Sequence, residues 1–383
     1  MKLISCGQIQ TKTTRLVQLT LIGLTAQAFA LPPLVSSSEE IQEQQTQRLF
    51  RKFDKNNDQK IDKTENLKVW NRNARYDANK DSALSVDELK ASFVPSMNAP
   101  GKELVNVKYK QTEQGDVHLD IFFPDQDTNK AKPVVFFTHG GGWAAGNKSK
   151  ATQASFSEVH KAWLKEGFVV VSVGYRLIGK TKETAIRDCV IDCKDGMRFI
   201  AAHKEALGID PTKFYTFGDS AGGHLAMMLL HTDSKTFVGD SELSKYQYST
   251  VAGVSWYGPC DFQDIQLFNY NDAPDFNDRF NARIISKHAN AENKQALYKE
   301  VSPISYLTEN SAPLLMIQGD KDTTIPLKQA LRMQKELETV NAPVQISIVK
   351  NAGHNWRSVE APIAPTRKHI VQQTIDFILK YKK

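Results

Sequence analysis

Ser220 stands in Gly218-Asp219-Ser220-Ala221-Gly222, with the β-prone KFYTF before it and the helical pattern HLAMMLLH after it. A strand that turns straight into a helix through Gly-x-Ser-x-Gly exposes the serine at the tip of a strained turn, where side chains at the two glycines would collide with strand and helix. A serine hydroxyl is too weak an acid to attack a carbonyl unaided, so acyl transfer needs a base beside it. His354, in KNAGHNW, can take the Ser220 proton and hand it to the leaving alcohol. A carboxylate must hold the imidazole tautomer, and two compete in GDKDTTIP. Asp322 is preferred, because Pro326 ends its loop and Asp322 can turn inward; Asp320 is expected to cap or brace that loop. The oxyanion that develops needs aimed donors. The backbone amides of Gly140 and Gly141, in HGGGW, with that of Ala221, are the candidates, glycine being needed because a Cβ would block the approach.

These residues must be brought together by the elements that carry them. PVVFFTH and FVVVSVGY are near-continuous apolar runs, as expected of strands buried on both faces. KFYTF, VAGVSWYG, PLLMIQG and VQISIV read as further strands. ASFSEVHKAWLKEG, AIRDCVIDCKDGMRFIAAHK, LKQALRMQKELETV and TRKHIVQQTIDFILKY read as helices between or after them. ELVNVKYK and DVHLDIFF read as a hairpin around Gly115. The alternation predicts an α/β fold with a mostly parallel central sheet flanked by helices. In such sheets chemistry gathers at the carboxyl ends of the strands. Here four strand ends lead into His139–Trp143, Ser220, Asp320–Asp322 and His354, in the chain order Ser…Asp…His of α/β hydrolases. Residues 262–311 are polar, rich in Asn and Asp, and read as an insertion over one end of the sheet.

Taken together, HGGGWAAGNK, GDSAGGHLA, VSPISYL before APLLMIQGDKDTTIP, and AGHNW resemble the carboxylesterase families of the α/β-hydrolase fold. The resemblance is to the hormone-sensitive-lipase type and the bacterial feruloyl-esterase-like type, and it covers roughly residues 101–383. It implies hydrolysis of carboxylic esters of modest size and carries nucleophile, acid and base onto Ser220, Asp322 and His354. The hormone-sensitive-lipase type has a helical cap ahead of its core, whereas a different module precedes the core here.

That module lies within residues 31–97, ahead of a hydrolase domain over 98–383. DKNNDQKIDKTE (Asp54–Glu65) and DANKDSALSVDE (Asp77–Glu88) repeat with a period of 23 residues. Oxygen-bearing side chains fall at the first, third, fifth, ninth and twelfth positions of each, the pattern of an EF-hand calcium loop. The expected ligands are Asp54, Asn56, Asp58, Asp62 and Glu65 with the Lys60 carbonyl, then Asp77, Asn79, Asp81, Ser85 and Glu88 with the Ala83 carbonyl. The expected module is thus a small all-α EF-hand pair holding two structural Ca²⁺ ions, with no cofactor for catalysis. Ile61 and Leu84 would pair the loops, and Phe50, Phe53, Leu67, Trp70, Leu89 and Phe93 would form a small core. Gln59 and Ser82 stand where the loop favours glycine, so a positive φ there is expected to weaken binding.

Composition bounds the rest. Over 383 residues, 40% hydrophobic and 24% charged content is that of an ordinary globular protein. Three of the six net positive charges lie in residues 1–30, and no Lys/Arg cluster interleaves with aromatics, which argues against a nucleic-acid partner. Lys12 and Arg15, the apolar LVQLTLIGL and Ala28-x-Ala30 read as a signal peptide cut after Ala30, so export to the periplasm or medium is expected, with no membrane span. Cys189 and Cys193 sit four apart on one helix face, beyond normal disulfide reach, and Cys260 completes an odd set in the mature chain. The leading expectation is an exported serine esterase acting on short-chain or aromatic esters, including those of carbohydrates. A peptidase or amidase with the same triad, and a non-catalytic calcium-dependent binding protein, stand as alternatives.

Overall fold

The computed structural model describes residues 46–47, 49–93, 103–125, 130–287 and 291–382. The expected signal peptide and the linker stretch 94–102 lie outside them. In the first part, two short strands, β1 (Lys60–Asp62) and β2 (Ala83–Ser85), pair antiparallel, with Ile61 opposite Leu84 as the repeat implies. Each leads into a helix: α1 (Lys63–Asn73) and α2 (Val86–Phe93). Ile61, Trp70, Leu84 and Leu89 are buried together, with Phe50 and Phe53 packed against them. Leu67, expected in this core, is instead 58% exposed. The reason is local. Asn66 leaves helical geometry (φ −156°, ψ 94°) and its side chain accepts from Val69 N (2.9 Å), so the helical periodicity restarts after it. The Phe93 side chain lies outside the described residues.

Eight strands build the main sheet: β3 (Glu103–Thr112), β4 (Gly115–Phe122), β5 (Lys132–Thr138), β6 (Val169–Val173), β7 (Ile209–Asp219), β8 (Thr250–Trp256), β9 (Leu314–Gly319) and β10 (Val344–Val349). Their order is β10-β9-β8-β7-β5-β6-β4-β3. The run from β10 to β6 is parallel; β4 and β3 join antiparallel at one edge as the expected hairpin.

Alternate side chains of the parallel strands enter opposite cores, which is why those strands are apolar throughout. Val134 and Phe136 of β5 pack with α4 (Ile186–Ala202) and α5 (Ala221–His231), while Val135 and Phe137 pack with α3 (Ala154–Lys165) and α7 (Arg367–Lys380). Helix α6 (Leu327–Thr339) buries Ala330, Met333 and Leu337 against Leu314 and Met316 of β9. Buried charges tie the antiparallel edge to α4: Lys110 Nζ donates to Asp192 Oδ1 (2.8 Å) and Asp195 Oδ2 (2.7 Å). Cys189, Cys193 and Cys260 are buried free thiols. Among the described residues no helix is long and apolar enough to cross a membrane.

Residues 262–311 differ from the expected polar covering. Phe262, Phe268, Phe280, Ile284, Tyr298 and Val301 are buried in the core that holds Trp143 and α5. The abundant Asn and Asp masked this inner face, because short helical turns and irregular backbone leave no period to read.

Candidate active site

Strand β7 runs directly into α5 through Ser220, whose backbone sits at φ 53°, ψ −120°. That conformation is strained for a residue with a Cβ, by roughly 1–3 kcal/mol. It persists because the surroundings allow nothing else. Ser220 N donates to Trp256 O (2.8 Å), and a Cβ on Gly218 or Gly222 would lie 2.2 Å from Gly222 O or 2.0 Å from Thr138 O. The hydroxyl is thereby aimed at His354, with Oγ 2.9 Å from Nε2.

His354 follows β10 on a tight turn, and its Nδ1 lies 2.7 Å from Asp322 Oδ2. Asp322 is fully buried and its other oxygen accepts from Thr324 N (2.8 Å) and Ile325 N (2.9 Å). Those two amides fix the carboxylate plane, so Oδ2 is left to face the imidazole. Gln318 Nε2 reaches the same Oδ2 at 3.3 Å, and the Tyr257 ring meets the His354 ring edge-on at 4.8 Å. The tautomer is therefore set: Nδ1–H donates to Asp322, and Nε2 presents its lone pair to Ser220. Asp320 does not act as the expected brace: Oδ1 is buried with no hydrogen-bond partner among the described residues, and only its backbone N–H is bonded, to Val349 O (3.1 Å).

The glycine loop follows β5, and here one expectation is corrected. Gly140 N donates to Asp219 Oδ1 (2.9 Å), so that amide is not available to an oxyanion. Asp219 Oδ2 also accepts from Lys150 Nζ (2.6 Å), with the aspartate side chain 1% exposed. The amides of Gly141, Gly142 and Ala221 donate to no acceptor among the described residues. Gly141 and Ala221 thus keep the freedom the sequence required, and the Gly142 amide beside them is likewise unengaged. His139 stacks on Tyr175 (4.3 Å, 13°), whose hydroxyl donates to His139 O (2.7 Å); burial pushes this histidine down to about 4, so it braces the loop as a neutral ring. The cleft over Ser220 measures about 610 Å³ and is walled by Gly140–Gly142, Lys150, Arg283, Thr324 and His354 among others.

The two repeated loops also adopt related geometries. Gln59 (φ 61°) and Ser82 (φ 66°) take the left-handed conformation the sixth position demands. Glu65 Oε1 accepts from Lys55 N (2.9 Å) and Glu88 Oε1 from Ala78 N (2.8 Å), folding each loop back on its last residue. In the first loop, oxygens of Asp54, Asp58 and Glu65 lie within 4.8 Å of one another. Asp54 Oδ1 is buried there without a hydrogen-bond partner among the described residues. A carboxylate oxygen orphaned beside two other carboxylates fits a bound cation. Asp62 is placed differently from a direct ligand, since its Oδ1 caps α1 by accepting from Thr64 N (2.7 Å) and Glu65 N (2.9 Å). Ser85 Oγ likewise donates to Glu88 Oε2 (2.8 Å). In the second loop the Lys60 ammonium reaches Asp81 Oδ2 (2.6 Å) and holds that carboxyl below its ordinary range. Asn56 and Asn79 turn their amides onto Asp58 and Asp81 (3.0 and 3.2 Å), and Asp77 Oδ2 accepts from Ser82 N (3.1 Å). Lys60 and Ala83 lie opposite partners in the β1–β2 pair.

Comparison with known proteins starts from the core just described. Residues 119–337 match the model of the family described as BD-FAE. The chain belongs to the BD-FAE family. Of curated proteins, this BD-FAE chain is 29% identical over 227 residues to a probable carboxylic ester hydrolase, LipM, of Mycobacterium tuberculosis, covering 58% of this chain and 49% of that protein. It is 27% identical over 242 residues to the esterase LipC of the same organism, covering 62% and 56%. It thus spans about half the length of these relatives. Among solved structures, a truncated carbohydrate esterase from gut microbiota superposes with a TM-score of 0.59 at 23% identity, over 75% of this chain and 99% of that one. An esterase of the Planctomycetes species Thermogutta terrifontis, Est2, gives 0.57 at 20%, over 73% and 94%. At such identities the structures establish the shared α/β-hydrolase fold.

Several site residues of the BD-FAE core escaped the sequence reading. Asp219 occupies the free position of Gly-x-Ser-x-Gly, where any residue satisfies the pattern, and only the fold reveals that it holds the glycine loop. Lys150, Gln318 and Arg283 lie in separate segments with no spacing to link them to Ser220. Trp143 and His224 did carry a signal, being the aromatic and the histidine of HGGGW and GDSAGGH. Trp143 Nε1 donates to His224 Nδ1 (3.3 Å), and His224 Nε2–H donates to Val301 O (2.7 Å), joining glycine loop, α5 and inserted segment.

Proposed function

We propose that this chain is an exported serine carboxylesterase that hydrolyses short-chain or aromatic esters, including those borne by carbohydrates, with a calcium-binding N-terminal module. The observation that carries the proposal is the relay Ser220–His354–Asp322, at 2.9 and 2.7 Å, opening into a cleft whose wall offers unengaged amides. In the acylation step Ser220 Oγ attacks the ester carbonyl while its proton passes to His354 Nε2. The amides of Gly141, Gly142 and Ala221 receive the oxyanion. The imidazolium, held by Asp322, returns its proton to the leaving alcohol. Water then repeats the sequence on the acyl-enzyme and releases the acid.

The names of the curated relatives, ester hydrolase and esterase, support this reaction class. That the same fold carries a carbohydrate esterase supports the substrate suggestion. Export rests on residues 1–30 of the sequence. Calcium in the first loop would be held by Asp54, Asp58 and Glu65 with Asn56 and the Lys60 carbonyl, and in the second by Asp77, Asn79, Asp81 and Glu88 with the Ala83 carbonyl. Its contribution is to neutralise converging carboxylates and so hold the module together. An assembled relay argues against a purely binding role.

The test is a panel of 4-nitrophenyl esters from acetyl to dodecanoyl, run beside 4-nitroanilides, on the wild type and Ser220→Ala. Esters up to about butanoyl should turn over fastest, amides much more slowly, and the variant should lose roughly a millionfold while remaining folded. Activity in Ser220→Ala within tenfold of wild type would remove the proposal.

A further inference from the structure

The inserted segment brings two guanidinium groups to the cleft, and they are in different states. Arg279 Nη2 donates to the carbonyls of Thr323 and Thr324, on the loop that carries Asp322. Arg283, one turn later, lines the cleft itself. It stands directly against the glycine loop, because a Cβ built on Gly142 would lie 3.1 Å from Arg283 Nη1. Both guanidinium groups lie over the Phe280 ring, at 5.3 and 5.8 Å from its centre. Phe280 in turn packs edge-on against Trp143 of HGGGW (6.0 Å). Arg283 is thus propped by an aromatic face, with its N–H edge left over.

Among the described residues the Arg283 side chain makes no hydrogen bond and no ion pair; only its backbone N–H is bonded, to Phe280 O (2.8 Å). The carboxylates of the site are committed elsewhere: Asp219 to Gly140 and Lys150, Asp322 to His354 and two amides. Asp278, just upstream, accepts from Tyr298 and from backbone amides. A half-buried guanidinium that has lost water and gained no acceptor is unfavourable unless a ligand supplies one. Its planar fork matches a carboxylate through two parallel hydrogen bonds. A dianionic phosphate would call on further cations, and the other cations here, Lys150 and Arg279, are already bonded.

Resting on the esterase reading above, we propose that Arg283 reads the substrate, and that the ester cleaved here carries a carboxylate within its reach. The carboxylate can belong to the acyl half, as in a half-ester of a diacid, or to the alcohol half, as in an acylated hydroxy acid or acidic sugar. Two matched pairs distinguish them. For the acyl side, mono-4-nitrophenyl glutarate is compared with 4-nitrophenyl pentanoate; for the alcohol side, 4-acetoxybenzoate with its methyl ester.

The readout is kcat and KM for wild type, Arg283→Gln and Arg283→Lys. The wild type should favour the charged member of one pair by about tenfold or more, that pair naming the half that bears the charge. Arg283→Gln should cut kcat/KM for the charged member about ten- to a hundredfold more than for its neutral partner, mainly through KM, since the contact is remote from the reacting carbonyl. Arg283→Lys should fall between, keeping the charge and losing the fork. The neutral ester on the same preparation reports whether the variant is folded. Equal losses on charged and neutral esters, or no charge preference in either pair, would overturn the proposal and leave the esterase reading standing. Failure of the wild type to cleave any of the four esters would overturn both.

Discussion

Replacing Asp322 by asparagine should cost about four orders of magnitude in kcat, and the structure says why an isosteric change is so damaging. The asparagine oxygen has two possible placements. Placed at Oδ1, it keeps the bonds from Thr324 N (2.8 Å) and Ile325 N (2.9 Å) and turns the NH₂ group toward His354 Nδ1. The flipped amide would instead press NH₂ against two buried N–H donors, at roughly 1–3 kcal/mol for each lost acceptor. The first placement wins, and the amide then donates to Nδ1. His354 must carry its proton on Nε2, the atom 2.9 Å from Ser220 Oγ, where the base needs a lone pair. The enzyme is left in the wrong tautomer, and a ~10⁴-fold loss, about 5.5 kcal/mol, is the scale for that defect. Stopped-flow and steady-state hydrolysis of 4-nitrophenyl butanoate would measure it, with the melting temperature as the check on folding. Asp320→Asn serves as the companion, since Asp320 touches neither His354 nor the amides that fix Asp322. A kcat for Asp322→Asn within tenfold of wild type, or a larger loss in Asp320→Asn, would refute the reasoning.

Asp219→Ala should lower kcat by about 10²–10³ by freeing the glycine loop from its anchor, while Asp219→Asn, which keeps an acceptor for Gly140 N, should lose less; equal kcat in Asp219→Ala and wild type would contradict this. Burial pushes His139, His160 and His224 down to about 4, so the unfolded chain binds their protons first as pH falls, and the stability they contribute is complete above about 6.5 and lost toward 4. Urea unfolding should therefore weaken below pH 6.5 by up to ~1.4 kcal/mol per pH unit for each of these histidines; a flat profile from pH 7 to 4.5 would count against it. Calcium should bind with Kd of about 10⁻⁴–10⁻³ M, as in extracellular modules, and Glu65→Gln should weaken calorimetric binding more than Glu88→Gln, because Lys60 already neutralises Asp81 in the second loop. EDTA should expose residues 31–97 to protease yet leave turnover of a small soluble ester unchanged; immediate loss of turnover with the fold intact would place calcium at the catalytic centre instead.

What the sequence determined by itself is everything written in local periods and fixed spacings. Unbroken apolar runs marked strands buried on both faces, and the glycines of the elbow marked a turn where a Cβ would strike backbone. The order of Ser220, Asp322 and His354 along strand ends was readable because a parallel sheet brings all those ends to one edge. The twelve-residue loops foretold the positive φ at Gln59 and Ser82 and the pairing of Ile61 with Leu84. Tertiary structure decided whatever depends on partners distant in the chain. Gly140 and Gly141 are the same residue type side by side, yet one amide is taken by Asp219, 79 residues away, and its neighbour is left free. Leu67 is expected in the small core, but Asn66 leaves helical geometry and Leu67 is exposed. The arginines of the inserted segment carried no signal in the sequence, because no spacing relates Arg283 to Gly142. Only packing on Phe280, which itself packs against Trp143, brings that guanidinium to the wall of the cleft. Local sequence specifies backbone conformation, whereas the availability of an amide or a guanidinium is set by which acceptors the completed fold has already committed.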